Sequence, residues 1–245
     1  MEIWPLGTGS GMPSAELDSS FILLRSSDHC YLYDAGEGAA KKLMSEKINP
    51  NEPDAIVITH LHPDHVCGVF MLIQMMYLSG RNKALPIYLP ERHDEFLGIL
   101  KMLYTFPTKF SFELSFRPIE SLSHDFEELS IQPNDHLVGY SEIIRAQSLP
   151  NRQKAFSLKV DSPEGAFVYS SDLTTTDSIA NFCSGAHTIL VDSGHPDPQQ
   201  ILQLKDWGIK RILLTHECRK ETLELLGRNP DNRFEEVIQG KKYYI

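Results

Sequence analysis

"DAIVITHLHPDHVCGVF", residues 54–70, places five side chains able to bind a metal between His60 and Cys67, where an apolar run gives way to a helix. "AIVITH" (55–60) reads as a strand, and 65–79 as a helix apolar nearly all round, hence buried. His60 and His62 are two apart, so at an extended strand end they project from the same side. Pro63 fixes its own φ and favours a turn there, which swings Asp64 and His65 toward the same centre. Imidazole nitrogen and carboxylate oxygen are both ligands that Zn²⁺ accepts, at roughly 2.0–2.2 Å. The competing reading is a polar loop with incidental histidines. Histidine is only 10 of 245 residues, so three of them with an aspartate in this order favours a metal site.

Composition sets the frame around this stretch. With 41% hydrophobic and 23% charged residues the chain is an ordinary globular sequence, read as one domain over 1–245. No apolar run reaches the roughly 18 residues that span a bilayer, and the N-terminus does not look like a signal peptide, so no membrane partner is expected. Cys30, Cys67, Cys183 and Cys218 stand far apart, without a C-x-x-C pair. That spacing gives no disulfide framework and fits a reducing cytoplasm. The net charge of -10, with no Lys/Arg-rich block, argues against an extended nucleic acid as partner and tips the balance toward a small substrate.

Short apolar runs alternate with helical segments throughout. Strands are predicted at 2–7, 20–25, 30–35, 55–60, 86–90, 110–116, 141–146, 155–160, 166–171, 188–192, 211–216 and 242–245. Helices are predicted at 37–47, 65–79, 92–104, 174–182, 197–207 and 219–227. Many strands with several helices imply sheets packed together with helices outside.

With Gly68 the cluster completes the pattern H-x-H-x-D-H-x-x-G, and in this it resembles the metallo-β-lactamase fold superfamily. "PLGTGSGMPS" near the start, "YLYDAGEGAAKKL" (31–43) and "SGRNKALPIYLP" (79–90) are similar to its tRNase Z and cyclic phosphodiesterase branch. "FVYSSDLT" and "ILLTHE" carry Asp172 and His216 where that family has a bridging aspartate and its last histidine. The resemblance implies an α+β fold, a four-layer αββα sandwich, in a metal-dependent hydrolase that forms a homodimer. It implies His60 and His62 for a first metal, Asp64, His65 and His216 for a second, and Asp172 between them. Zn²⁺ is the expected ion, one or two per chain; Mn²⁺ and Fe²⁺ accept similar ligands. Each residue also has a plainer reading: Asp172 as a helix cap, His216 as a solvent-facing strand end.

One departure stands out. In "LPNRQKAF" Asn151 occupies the place of a family histidine, and an amide oxygen is a weaker zinc ligand than imidazole. The first metal position is then weak or empty, or Asn151 ligates, or another histidine such as His136 reaches in from a loop. The family's His-Glu-Ala-Thr motif is also missing from "ILVDSGHPDP", which leaves His195 as candidate proton donor, with a surface histidine as the plainer alternative.

Zinc lowers the pKa of water toward ~7, and Asp64 would ligate and orient the attacking water. Asp34 and Glu37, in "YDAGEG", are candidates for orienting the ligating imidazoles, or merely turn residues. Arg152 and Arg219 are candidates for gripping a phosphate, or solvated surface groups. "GTGSG" (7–11) lacks the Gly-Lys-Ser/Thr of a P-loop and reads as a tight turn. The resemblance implies a phosphodiesterase acting on a small-molecule phosphodiester, cyclic or nucleotide. Three other functions compete with it: a thioester or lactone hydrolase, a tRNA 3'-processing-like endonuclease, and a degenerate member that binds metal or a ligand without turnover.

Overall fold

A computed structural model describes residues 1–26 and 28–245. The chain forms two compact units: residues 1–121 with 238–244, and residues 122–237 with 245.

In the first unit, β1 (Glu2–Gly7), β2 (Phe21–Arg25) and β3 (Cys30–Tyr33) run antiparallel. β4 (Ala55–Val57), β5 (Leu85–Leu89) and β6 (Leu114–Pro118) then add in parallel to β3. Parallel neighbours need crossovers. These are α1 (Ala39–Ser45), the pair α2 (Pro63–Val66) and α3 (Val69–Leu78), and α4 (His93–Met102). Leu23, Leu32, Ile56 and Ile87 from the strands pack with Leu72, Ile73, Met76 and Leu100 from the helices.

The second unit repeats the plan. α5 (Leu122–Asp125) leads into β7 (Leu129–Pro133); α6 (Ser141–Ala146) lies between β7 and β8 (Phe156–Val160), followed by β9 (Ala166–Tyr169). β7, β8 and β9 are antiparallel, while β10 (Ala186–Asp192), β11 (Arg211–Thr215) and β12 (Phe234–Glu236) continue in parallel. α7 (Pro198–Gln203) and α8 (Lys220–Arg228) make the crossovers; β13 (Tyr243–Tyr244) belongs to the first unit, where it pairs with β1.

Several expectations need correction. Residues 141–146 are a helix, not a strand: they follow a 3-10 turn at Val138–Tyr140 and pair with no strand. The helix expected at 65–79 breaks into α2 and α3 at Gly68, whose missing side chain lets the turn approach β3's exit. A Cβ there would sit 2.0 Å from the Gly36 carbonyl oxygen. Nor is that helix buried all round, since Met71 is 58% and Leu78 71% exposed. Residues 174–182 yield only a 3-10 turn at Thr176–Ile179. β7 and β12 were not foreseen; β7 is an edge strand ending in proline, a place where the missing N–H costs no ladder bond.

Candidate metal centre

In the first unit every candidate lies just past the carboxyl end of a parallel strand, where α/β sheets commonly bind ligands. Asp34 follows β3 in a left-handed conformation, φ 60°. That bend aims its fully buried carboxylate at β4's exit. There it accepts hydrogen bonds from the Thr59 N–H (2.8 Å) and hydroxyl (2.9 Å), and bonds His65 Nδ1 at 2.8 Å. A carboxylate on Nδ1 fixes the proton there, so Nε2 is the lone-pair atom. The Thr59 hydroxyl also reaches His60 Nδ1, at 3.1 Å. His62 forms the extended N-cap of α2, with Pro63 at the first helical position. Its ring lies 4.8 Å from that of His60, and His60 lies 4.1 Å from His65. Asp64 Oδ2 stands 3.4 Å from His65 Nε2.

The second unit gathers a cluster of its own. Asp172 follows β9 after Ser171, itself left-handed at φ 55°. Its Oδ2 faces His216 Nε2 at 3.4 Å, His136 Nε2 at 3.6 Å and His195 Nδ1 at 3.9 Å. His216 leaves β11 at φ 65°, another left-handed residue; such strain concentrates at functional sites. His136 is held by its own loop. Asn134 Nδ2 donates to the Ser170 carbonyl (3.3 Å), and the Asp135 carboxylate accepts from the Thr174 and Thr175 N–H groups and the Thr175 hydroxyl.

These spacings suit a metal. Two ligands 2.1 Å from a tetrahedral zinc lie about 3.4 Å apart, from the bond lengths alone. Both the Asp64–His65 and the Asp172–His216 pairs stand at 3.4 Å, too long for a good hydrogen bond and right for sharing an ion. The donors are imidazole and carboxylate, which zinc, manganese and ferrous iron all accept.

The other candidates fall out differently. Asn151 lies exposed in the coil before β8, between left-handed Ser148 and Gln153, and His136 is the side chain that stands against Asp172. Glu37 is exposed, and among the described residues no imidazole is bonded to it, so it acts as a turn residue. Arg152 is exposed in the same coil as Asn151. Arg219 donates to the carbonyls of Gly194 (2.6 Å) and His195 (2.7 Å), which fixes a loop.

His195 has a partner that sequence reasoning missed. Asp192, at the end of β10, meets His195 Nδ1 at 2.9 Å. That bond holds the imidazole's pKa above the ordinary histidine value, against burial, which lowers it. A legible signal existed: Asp two residues before Gly in "DSGH" is an Asx turn, and Asp192 Oδ1 accepts from the Gly194 N–H at 2.8 Å.

Residues 1–216 match the family of the anti-Pycsar protein Apyc1. The chain belongs to that family. A ribonuclease Z from Methanothermobacter thermautotrophicus is 27% identical over 267 residues, covering 88% of this chain and 86% of that protein. The structure resembles human tRNase Z, short form, with a TM-score of 0.74 at 20% identity over 100% of this chain and 99% of that one. It also resembles the metallo-β-lactamase fold protein YhfI from Bacillus subtilis, with a TM-score of 0.73 at 18% identity over 99% and 98%. The fold expected from the signature is therefore the one found, and this member of the Apyc1 family is a metal-dependent hydrolase. One expectation is overturned. Relatives named ribonuclease Z and tRNase Z contradict a small-molecule substrate with extended nucleic acid unlikely. Net charge sums the whole surface and is silent about the local field at a cleft, which is why it misled. Cys30, Cys67, Cys183 and Cys218 are free, and no helix among the described residues is long and apolar enough to cross a membrane.

Proposed function

We propose that this chain is a phosphodiesterase that uses zinc, with His60, His62, Asp64, His65, His136, Asp172 and His216 as the metal ligands. What supports the ligand set is the pair of 3.4 Å donor spacings, one in each unit, together with family membership. Asp34 orients His65, and His136 takes the role that Asn151 leaves open. A bound divalent ion supplies Lewis acidity and lowers the pKa of water to about 7. Asp64 orients the attacking water and accepts its proton. As the phosphorus–oxygen bond breaks, the leaving oxygen takes a proton from His195 Nε2, whose opposite nitrogen is held by Asp192. The ribonuclease Z relatives favour an RNA phosphodiester as substrate.

Hydrolysis of bis(p-nitrophenyl) phosphate and of a precursor tRNA, with metal content measured in parallel, tests the assignment. Metal-dependent turnover of the ester supports it, and cleavage of the RNA extends it to nucleic acid. No turnover with zinc, manganese or ferrous iron refutes it, and a thioesterase assay then takes up the competing chemistry.

Two further outcomes are expected. Asp34→Asn should weaken metal binding about 10–100-fold, because an amide cannot fix the same His65 tautomer; competition with a zinc chelator reads this directly. His136→Ala should lower bound metal per chain, whereas Asn151→Ala should leave it at the wild-type level; elemental analysis decides. Equal loss in both would return Asn151 to the ligand set.

A further inference from the structure

His195 sits on a loop that would wander if nothing held it, since its side chain is 42% exposed. Asp192 fixes the imidazole end. Its Oδ1 accepts from the Gly194 and His195 N–H groups, and its Oδ2 accepts from the Leu173 N–H and meets His195 Nδ1. Asp172, Asp192 and His195 could suggest another cation position. With both oxygens engaged this way, Asp192 is committed to the loop and not to an ion.

The backbone end is fixed by Arg219, three residues beyond His216. Its N–H donates to the Ser193 carbonyl at 3.3 Å, Nε to the Gly194 carbonyl and Nη2 to the His195 carbonyl. From the other side, the Ser193 hydroxyl donates to the Thr215 carbonyl at 2.7 Å. Residues 193–195 and 215–219 are thus bonded into one piece, so His195 and His216 move together. The fork of one guanidinium spans two successive carbonyls, a geometry an ammonium cannot copy.

We propose that Arg219 is a positioning residue for proton donation. It holds the His195 backbone so that Nε2 meets the leaving oxygen, and it makes the enzyme capable of expelling poor, strongly basic leaving groups. This rests on the phosphodiesterase reading above. In the step concerned, water adds to phosphorus and the bond to the leaving oxygen breaks with its electron pair. The proton on His195 Nε2 passes to that oxygen, and the water's proton goes to a carboxylate.

The consequence is a leaving-group dependence. A p-nitrophenolate departs without a proton, whereas an unsubstituted phenolate needs one far more. Zinc-loaded wild type, Arg219→Ala, His195→Gln and the double variant are compared on the p-nitrophenyl and phenyl esters of thymidine 5'-phosphate. Arg219→Ala should raise the ratio of p-nitrophenyl to phenyl rates about tenfold over wild type, at unchanged metal content. His195→Gln should raise it at least as much, and the double variant no further than His195→Gln alone. If Arg219→Ala slows both esters equally, or raises KM for both without changing the kcat ratio, the proposal fails and the arginine binds phosphate or merely braces the fold. Lost metal in Arg219→Ala also overturns it. Wild type inert toward both esters sinks the phosphodiesterase reading itself, a result distinct from any of these.

Discussion

Asp172→Ala is expected to abolish metal-dependent hydrolysis, lowering kcat by roughly a thousandfold or more, because under the proposed ligand set several kcal/mol of charge stabilisation depends on the ions it would help to hold. The geometry makes this carboxylate the hub of its unit. One oxygen faces imidazole nitrogens of His216, His136 and His195 within 3.9 Å, and the residue is almost wholly buried. Asp192 cannot replace it, because its carboxylate is consumed by its own loop. Elemental analysis should show the metal content reduced, and circular dichroism should show the secondary structure retained. Asp172→Asn refines the test, since it keeps the shape and removes the charge. An alanine variant that keeps full activity with full metal would show that Asp172 is no ligand.

The second large effect concerns stability. Arg81 is fully buried, yet among the described residues no carboxylate forms an ion pair with it. Instead its guanidinium donates to the carbonyls of Pro50 (2.6 Å), Pro53 (2.9 Å), Lys83 (2.7 Å) and Ala84 (2.6 Å), and lies 5.8 Å above the Phe112 ring. Burial pushes its pKa down to about 10, which still leaves it charged at neutral pH. These four bonds close the turn before β5 onto the segment before β4. Arg81→Ala removes all four at once and empties a fully buried side-chain site. The expected cost is about 3–5 kcal/mol, with a fall in Tm of about 10 °C. Arg81→Lys should recover only part of this, because three donors on one nitrogen cannot reach four carbonyls in a plane. Thermal denaturation followed by circular dichroism measures both, and a shift below a degree or two would refute this account of the turn.

Much of the fold was open to reading because its rules are local. β1 was expected at 2–7 and found there, and the helix expected at 92–104 appears as α4, within two residues at each end. What was misread lies where tertiary context overrides propensity. The stretch 141–146 has the residues of a strand but no neighbouring strand to pair with. Among the candidate ligands, the grouping of His60, His62, Asp64 and His65 was legible because strand alternation and one proline bring them together within six positions.

The sequence by itself determined the H-x-H-x-D-H turn, its place at a strand exit, and so the chemistry of its donors. Only the tertiary structure decided that His136 and not Asn151 stands beside Asp172. It also decided that Asp192 locks His195 and that Arg219 binds backbone carbonyls. The reason is one of distance along the chain. His136 reaches Asp172 through the pairing of β7 with β8 and β8 with β9, and Arg219 reaches residue 195 because β10 and β11 lie in parallel register. Such contacts arise from the register of strands, and no pattern within a short window of residues encodes them.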